Sequence, residues 1–207
     1  MIIPMTSVRF LACIPFTLIQ EGPDVTNWSD PTNFSNDPHD PGKATQSGIT
    51  QAEYDQYRLS KGEPTQPVQQ STQAEGYDIY YNGYWIPAQC PLLQPGMDLC
   101  QFDTAVNQGP VEAIRILQVA LSVPVDGIWG PITQAAVANI TNVVSVIEKF
   151  TSRREAVYQQ TRNFNYFGTD WMRRAEEIGA AAERAGVIQV KALAMHRKFM
   201  ASKEYLK

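Results

Sequence analysis

Val111-Glu112-Ala113-Ile114-Arg115-Ile116-Leu117-Gln118-Val119-Ala120-Leu121-Ser122 places Ala113, Ile116, Leu117, Ala120 and Leu121 three and four residues apart. That period lays one apolar stripe along a helix, whereas a strand would alternate every second residue. Downstream, Val125-Asp126-Gly127-Ile128-Trp129-Gly130-Pro131 reads as a tight turn, and Thr133 to Val137 opens another helix. Helical patterns follow at 143–162 and 171–186, and a basic helix or tail ends the chain. Upstream, 72–81 is helical and leads into Asn82-Gly83-Tyr84-Trp85. Thr50 caps a helix reaching Arg58, with Glu53 completing a capping box. Thr6 or Ser7 starts a first helix, with Val8, Leu11 and Ile14 on one face and a kink expected at Pro15. Gly22-Pro23 stops it. The interval to Thr45 is rich in Asn, Asp, Pro and Gly and reads as a structured polar loop. Residues 59–73, with Pro64 and Pro67, read as an exposed connection. The fold class is mainly α.

The chain has 207 residues, enough for a buried core and for one large or two small domains. A net charge of −4 argues against a nucleic-acid partner. Charge is uneven, though: from Arg184 onward six Lys/Arg face one acid, Glu204. This basic tail has a possible weak membrane contact, with Ile188, Ala192, Met195 and Phe199 on one face. A solvated helix is the plainer reading. No apolar run approaches the ~20 residues that span a bilayer. Residues 10–19 imitate a signal-peptide core, but Arg9 is the only basic flank, Pro15 interrupts, and no small-residue cleavage site follows. An N-terminal core helix is expected instead. Cys90 and Cys100 bracket a Pro/Gly-rich loop and could close a disulfide, the alternative being free buried thiols. With only His39 and His196, a catalytic zinc site is not expected.

One constellation bears on chemistry. Glu21 ends the apolar N-terminal segment, and Asn36-Asp37-Pro38-His39-Asp40-Pro41-Gly42-Lys43-Ala44-Thr45 follows on the turn-rich loop. A carboxylic acid plus a second acid and a hydroxyl are what an inverting glycosidase needs: one protonates the leaving oxygen, the others hold a water. An exposed helix-end acid and an ordinary Asp-Pro-Gly turn would look the same.

Order and number of motifs carry a resemblance. Glu21-Gly22, Phe34, the Asn36-to-Thr45 loop, Gly48-Ile49-Thr50 and Tyr84-Trp85 succeed one another. Then come Phe102-Asp103-Thr104-Ala105-Val106-Asn107-Gln108-Gly109, Leu117-Gln118 and Asp126-Gly127-Ile128-Trp129-Gly130-Pro131-Ile132-Thr133. This series resembles the phage-type N-acetylmuramidase endolysins with a fused peptidoglycan-binding-like segment. The resemblance implies a lysozyme-like helical fold acting on peptidoglycan glycan strands, with no metal and no organic cofactor, as a monomer. It implies cleavage of the β-1,4 bond between N-acetylmuramic acid and N-acetylglucosamine. Glu21 would be the general acid, and Asp40 and Thr45 would orient the attacking water. Asp37 competes with Asp40 as the second carboxylate and is otherwise a substrate contact. Phe34, Tyr84 and Trp85 would form an aromatic glycan platform, although tyrosines at helical spacing also suit a core. Asp103 and Asn107, four apart, would bind sugar polar groups or anchor the helix. The Asp126-to-Thr133 element reads as a structural turn despite its wall-binding label.

Two departures stand out: about ten extra residues near 23–32, and Lys43 where the family has glycine. An anchored loop takes insertions at modest entropic cost, but lysine disfavours a positive φ. Expected boundaries are 1–95 for a lysozyme-like catalytic region, 96–175 for a helical wall-binding-like region completing the fold, and 176–207 for the basic tail. The implied role is phage or prophage lysis, with synthesis in the cytoplasm and release to the wall. The alternatives are a catalytically impaired wall-binding or secretion-associated protein and a secreted antibacterial muramidase toxin.

Overall fold

The computed structural model describes residues 5–21, 27–28, 30–36 and 44–204, with side chains described from residue 8 and, after 189, only at 191, 194 and 195. The chain divides into two compact units, Met1–Pro87 and Ala88–Lys207.

In the first unit, α1 (Met5–Ile19) carries Pro15 inside it. Its buried face is Phe10, Cys13, Ile14, Thr17 and Leu18, at spacings of three and four. This corrects the sequence reading of that helix: Val8 and Leu11 point outward, 57% and 43% exposed. The face was misjudged because apolar residues occur around the whole helix, so periodicity alone cannot choose between stripes. Phe10 meets Tyr77, Tyr81 and Trp85 edge-on at ring distances of 6.1, 5.2 and 5.7 Å.

The polar stretch before Thr50 is not all loop. It holds an antiparallel sheet of β1 (Phe34–Asn36), β2 (Ala44–Gln46) and β3 (Ile49–Thr50) in that order. Ser47 and Gly48 join β2 to β3 with φ of 48° and 80°. Two successive positive φ values match the two-residue hairpin turn whose twist suits paired strands. Trp28, inside the inserted stretch, is core: its indole N–H donates to Ser71 Oγ (3.1 Å). The ring occupies the space that a side chain at Gly76 would need, its Cη2 standing where a Cβ would be.

Helix α2 (Gln51–Ser60) starts at Thr50 with the expected capping box to Glu53, and α3 (Gln73–Tyr80) starts at Thr72 with a second box to Glu75. A π-helical turn, Tyr81–Trp85, follows α3 and is closed by the Ile86 N–H to Tyr81 carbonyl bond (3.0 Å).

The second unit is all helical among the described residues. Helix α4 (Met97–Gln108) is buried on every side from Met97 to Ala105. Helices α5 (Pro110–Ala120), α6 (Pro131–Ala138), α7 (Val143–Gln159) and α8 (Phe164–Glu204) complete it. Helix α8 runs unbroken through 175–176, where the sequence reading set a boundary. Asp126 to Thr133 is a turn built on Gln118. The Gln118 amide donates to Asp126 Oδ1, Ile128 O and Thr133 Oγ1 at 2.7–3.0 Å. Its carbonyl accepts the Asp126 and Gly127 N–H groups at 3.0 and 2.9 Å. Cys13, Cys90 and Cys100 are all buried thiols, and no disulfide joins Cys90 to Cys100. Burial pushes the Cys100 thiol up to about 12. No helix among the described residues is long and apolar enough to cross a membrane.

Candidate active site

Glu21 stands just past the end of α1, its N–H bonded to Leu18 O (2.9 Å) and its side chain half-buried. The carboxylate lies against Gly48. A Cβ built on Gly48 would sit 3.1 Å from Glu21 Oε2, 3.2 Å from Glu21 Cβ and 2.8 Å from Tyr80 Oη. Gly48 is thus required twice, by its φ of 80° and by the lack of room. It is solvent-exposed, so the acid sits at an open surface. Tyr80 is buried and donates to Ser47 O (2.8 Å), fixing the turn from its other side.

That turn also sets β2. Gln46 pairs with Phe34 and Ile49, is 3% exposed, and donates to Trp28 O (2.6 Å). Alternation along the strand therefore turns Thr45, which pairs with Ser35 and Thr50, to the opposite face. Thr45 and Phe34 are both half-buried. Asp37, Asp40 and Lys43 lie outside the described residues. The segment that contains them leaves from Asn36 and returns at Ala44, and those two residues are partners across β1 and β2.

Tyr84 joins this neighbourhood from the π turn. Its hydroxyl donates to Glu53 Oε1 (2.6 Å), while Glu53 Oε2 accepts from Thr50 N–H and Oγ1 at 3.0 and 2.8 Å. Burial holds the phenol far above its ordinary range, and the charges of Glu53 and then Glu21 add to this. Glu21 and Glu53 both act on one phenol.

The other expected sugar contacts are corrected. Trp85 is fully buried against Phe10 and offers no platform. Asp103 is 0% exposed, with Arg154 Nη2 at 2.7 Å and Arg174 bidentate at 2.9 and 3.1 Å. Burial raises its pKa, but Arg154 and then Arg174 outweigh that and hold the carboxyl below its usual value. Asn107 accepts from Tyr158 (2.6 Å), which itself accepts from Arg154 Nε (2.9 Å). These residues form an internal anchor of the second unit.

Gly48, Tyr80 and Glu53 were missed as site residues. The capping box made Glu53 visible, but only one of its two oxygens is used in the cap.

Residues 15–109 match the model of the family described as Glycosyl hydrolase 108. The structure of Brucella abortus SagA is similar to this chain at 27% identity and a TM-score of 0.71, over 87% of this chain and 97% of that one. No curated protein sequence matches. The fold is mainly α and lysozyme-like. Family match and fold together support a glycoside hydrolase of the lysozyme-like, peptidoglycan-hydrolysing kind. The family match stops at residue 109, and nothing supports a fused peptidoglycan-binding segment beyond it.

Proposed function

We propose that this protein is an N-acetylmuramidase that cleaves the β-1,4 bond between N-acetylmuramic acid and N-acetylglucosamine. The reading is supported by one observation above the rest: the Glu21 carboxylate packs on the Gly48 turn of the hairpin that carries Thr45. Glu21 gives its proton to the glycosidic oxygen as the bond to the anomeric carbon breaks. A water held by Thr45 and Asp40, or by Asp37 in its place, attacks the opposite face and loses its proton to that carboxylate. The expected outcome is inversion, which calls for carboxyls ~6.5–9.5 Å apart. Tyr84 and Phe34 border the sugar path. The biological setting we infer is phage or prophage lysis, with the enzyme made in the cytoplasm and released to the wall by a separate pore-forming protein.

The test is clearing of purified peptidoglycan by the native chain and by Glu21→Gln, with the new reducing ends identified. Release of reducing N-acetylmuramic acid by the native chain alone supports the reading. Equal clearing by both removes Glu21 from the acid role. Clearing by neither favours a wall-binding protein without activity, and new reducing N-acetylglucosamine ends would reassign the bond.

A further inference from the structure

The first unit builds two capping boxes of one pattern, and they differ in what meets the second carboxylate oxygen. In the box that opens α3, Glu75 Oε2 accepts from Thr72 N–H and Oγ1 at 2.8 and 2.9 Å. Its other oxygen accepts from Arg58 Nη1 (2.8 Å) and Tyr54 Oη (3.1 Å), so an ion pair completes it. In the box that opens α2, Glu53 Oε2 accepts from Thr50 in the same way, and Glu53 N–H returns a bond to Thr50 Oγ1 (3.2 Å). Its other oxygen accepts from Tyr84 Oη (2.6 Å), and among the described residues no cation pairs with it. A cap needs only one carboxylate oxygen. The second oxygen of Glu75 serves an ion pair, whereas that of Glu53 serves a tyrosine of the candidate site.

Both ends of the Glu53 link reach that site. Thr50 closes β3 and is the cross-strand partner of Thr45. Directly opposed residues share a face of the sheet, and Gln46 with its partner Ile49 takes the buried one. Thr45 therefore stands on the same face as Thr50, whose hydroxyl is held by giving one bond to Glu53 and receiving another. At the other end, the Tyr84 ring lies 5.8 Å from that of Tyr80, which donates to Ser47 O in the turn on which Glu21 packs. The π turn, a device frequent at functional sites, brings Tyr84 to Glu53 while Trp85 stays in the core. The hairpin that carries Thr45 is thus gripped at its turn by Tyr80 and at the end of β3 by Glu53.

We propose that Glu53 is a positioning residue of the hydrolytic site, fixing the Thr45 strand through Thr50 and the Tyr84 ring through its hydroxyl, so that the two keep one spacing around Glu21. The proposal rests on the muramidase reading for the reaction it serves. Glu53 acts through these neighbours and touches neither sugar nor water. Its role is geometric, so an amide that keeps the bonds replaces the carboxylate at little loss, glutamine closing capping boxes as glutamate does.

The test uses the full chain carrying Glu53→Ala, Glu53→Gln, Tyr84→Phe or Glu53→Ala with Tyr84→Phe, and Glu75→Ala as a control. Glu75→Ala loses a capping box and an ion pair, so it should lose at least as much melting temperature as Glu53→Ala. KM and kcat on peptidoglycan are measured where every variant is folded, and amide NMR spectra are compared. Glu53→Ala should lose about 10- to 100-fold in kcat, as a displacement of about 1 Å at a reacting group can, with KM within about threefold of native. Tyr84→Phe should lose about three- to tenfold, and the double variant no more than Glu53→Ala, because the two side chains act as one unit. Glu53→Gln should stay within about fivefold of the native kcat, and Glu75→Ala should keep it. The amides of Thr45 and of Ser47 to Thr50 should shift in both Glu53→Ala and Tyr84→Phe. Equal kcat in Glu53→Ala and Glu75→Ala, a loss confined to KM, additive losses in the double variant, unmoved hairpin amides, or no recovery in Glu53→Gln would overturn the proposal. A native chain that clears peptidoglycan no better than Glu21→Gln would instead remove the muramidase reading, and the proposal with it.

Discussion

Gly48→Ala probes the turn on which Glu21 rests. Two penalties apply at this position. Alanine at φ 80° costs about 1–2 kcal/mol for left-handed backbone. The added methyl would also stand 2.8 Å from Tyr80 Oη and 3.1 Å from Glu21 Oε2, so the phenol, the acid or both must move. Gly62→Ala separates the two effects. Gly62 has φ 75° and nothing within 4 Å of a built Cβ, so it carries the backbone penalty alone. Each variant should lose about 2–8 °C of melting temperature on the backbone term, and Gly48→Ala somewhat more. Displacing a catalytic group by about 1 Å can cost about a hundredfold. Gly48→Ala is therefore expected to lose about 10- to 100-fold in kcat at a temperature where it is fully folded, and Gly62→Ala to keep its rate. The assay is peptidoglycan clearing at saturating substrate beside a thermal melt. Full activity in folded Gly48→Ala, or equal losses in both variants, would refute the contact between turn and acid as a determinant of rate.

Asp103→Asn should destabilise the fold by about 3–5 kcal/mol, because it leaves Arg154 and Arg174 buried without their counter-charge. Asp103 titrates lower in the folded state than in the unfolded one, so its contribution is present above about pH 4 and is lost as pH falls through the folded value. Urea melts from pH 7 to pH 3 should show a gap between native and variant chains that narrows toward acid; a constant gap would contradict the ion-pair account. Native protein at pH 8 should leave all three cysteines unlabelled by a thiol reagent, and denatured, unreduced protein should expose all three; a single reactive thiol after denaturation would mean that a disulfide forms. Gln118→Ala should cost about 2–3 kcal/mol, since it leaves the Asp126 and Gly127 amides without their acceptor. Its affinity for isolated peptidoglycan should not change, and a selective loss of wall binding would restore a contact role to that turn.

Helix content was written in the chain wherever local rules suffice. The spacing in 111–122 gave α5, and Thr50 with Glu53 announced the start of α2, because a capping box needs only four consecutive residues. The sheet was not legible, since strands of two and three residues are too short to establish a period of two. The order of Glu21 and Thr45 was also readable, and so was the lysozyme-like class that their neighbouring motifs resemble. Only tertiary structure decided which aromatic and acidic residues lie near Glu21 and which are buried elsewhere. Tyr84 and Trp85 are adjacent, yet the π turn gives one to Glu53 and the other to the core. Asp103 matches a family motif but is held between two arginines, Arg154 and Arg174, that lie 51 and 71 residues further along the chain. Gly48 stood out only as part of the Gly48-Ile49-Thr50 motif, and its value lies in the side chain it lacks. A sequence fixes local conformation through near neighbours, whereas burial and charge pairing depend on residues brought together from distant parts of the chain.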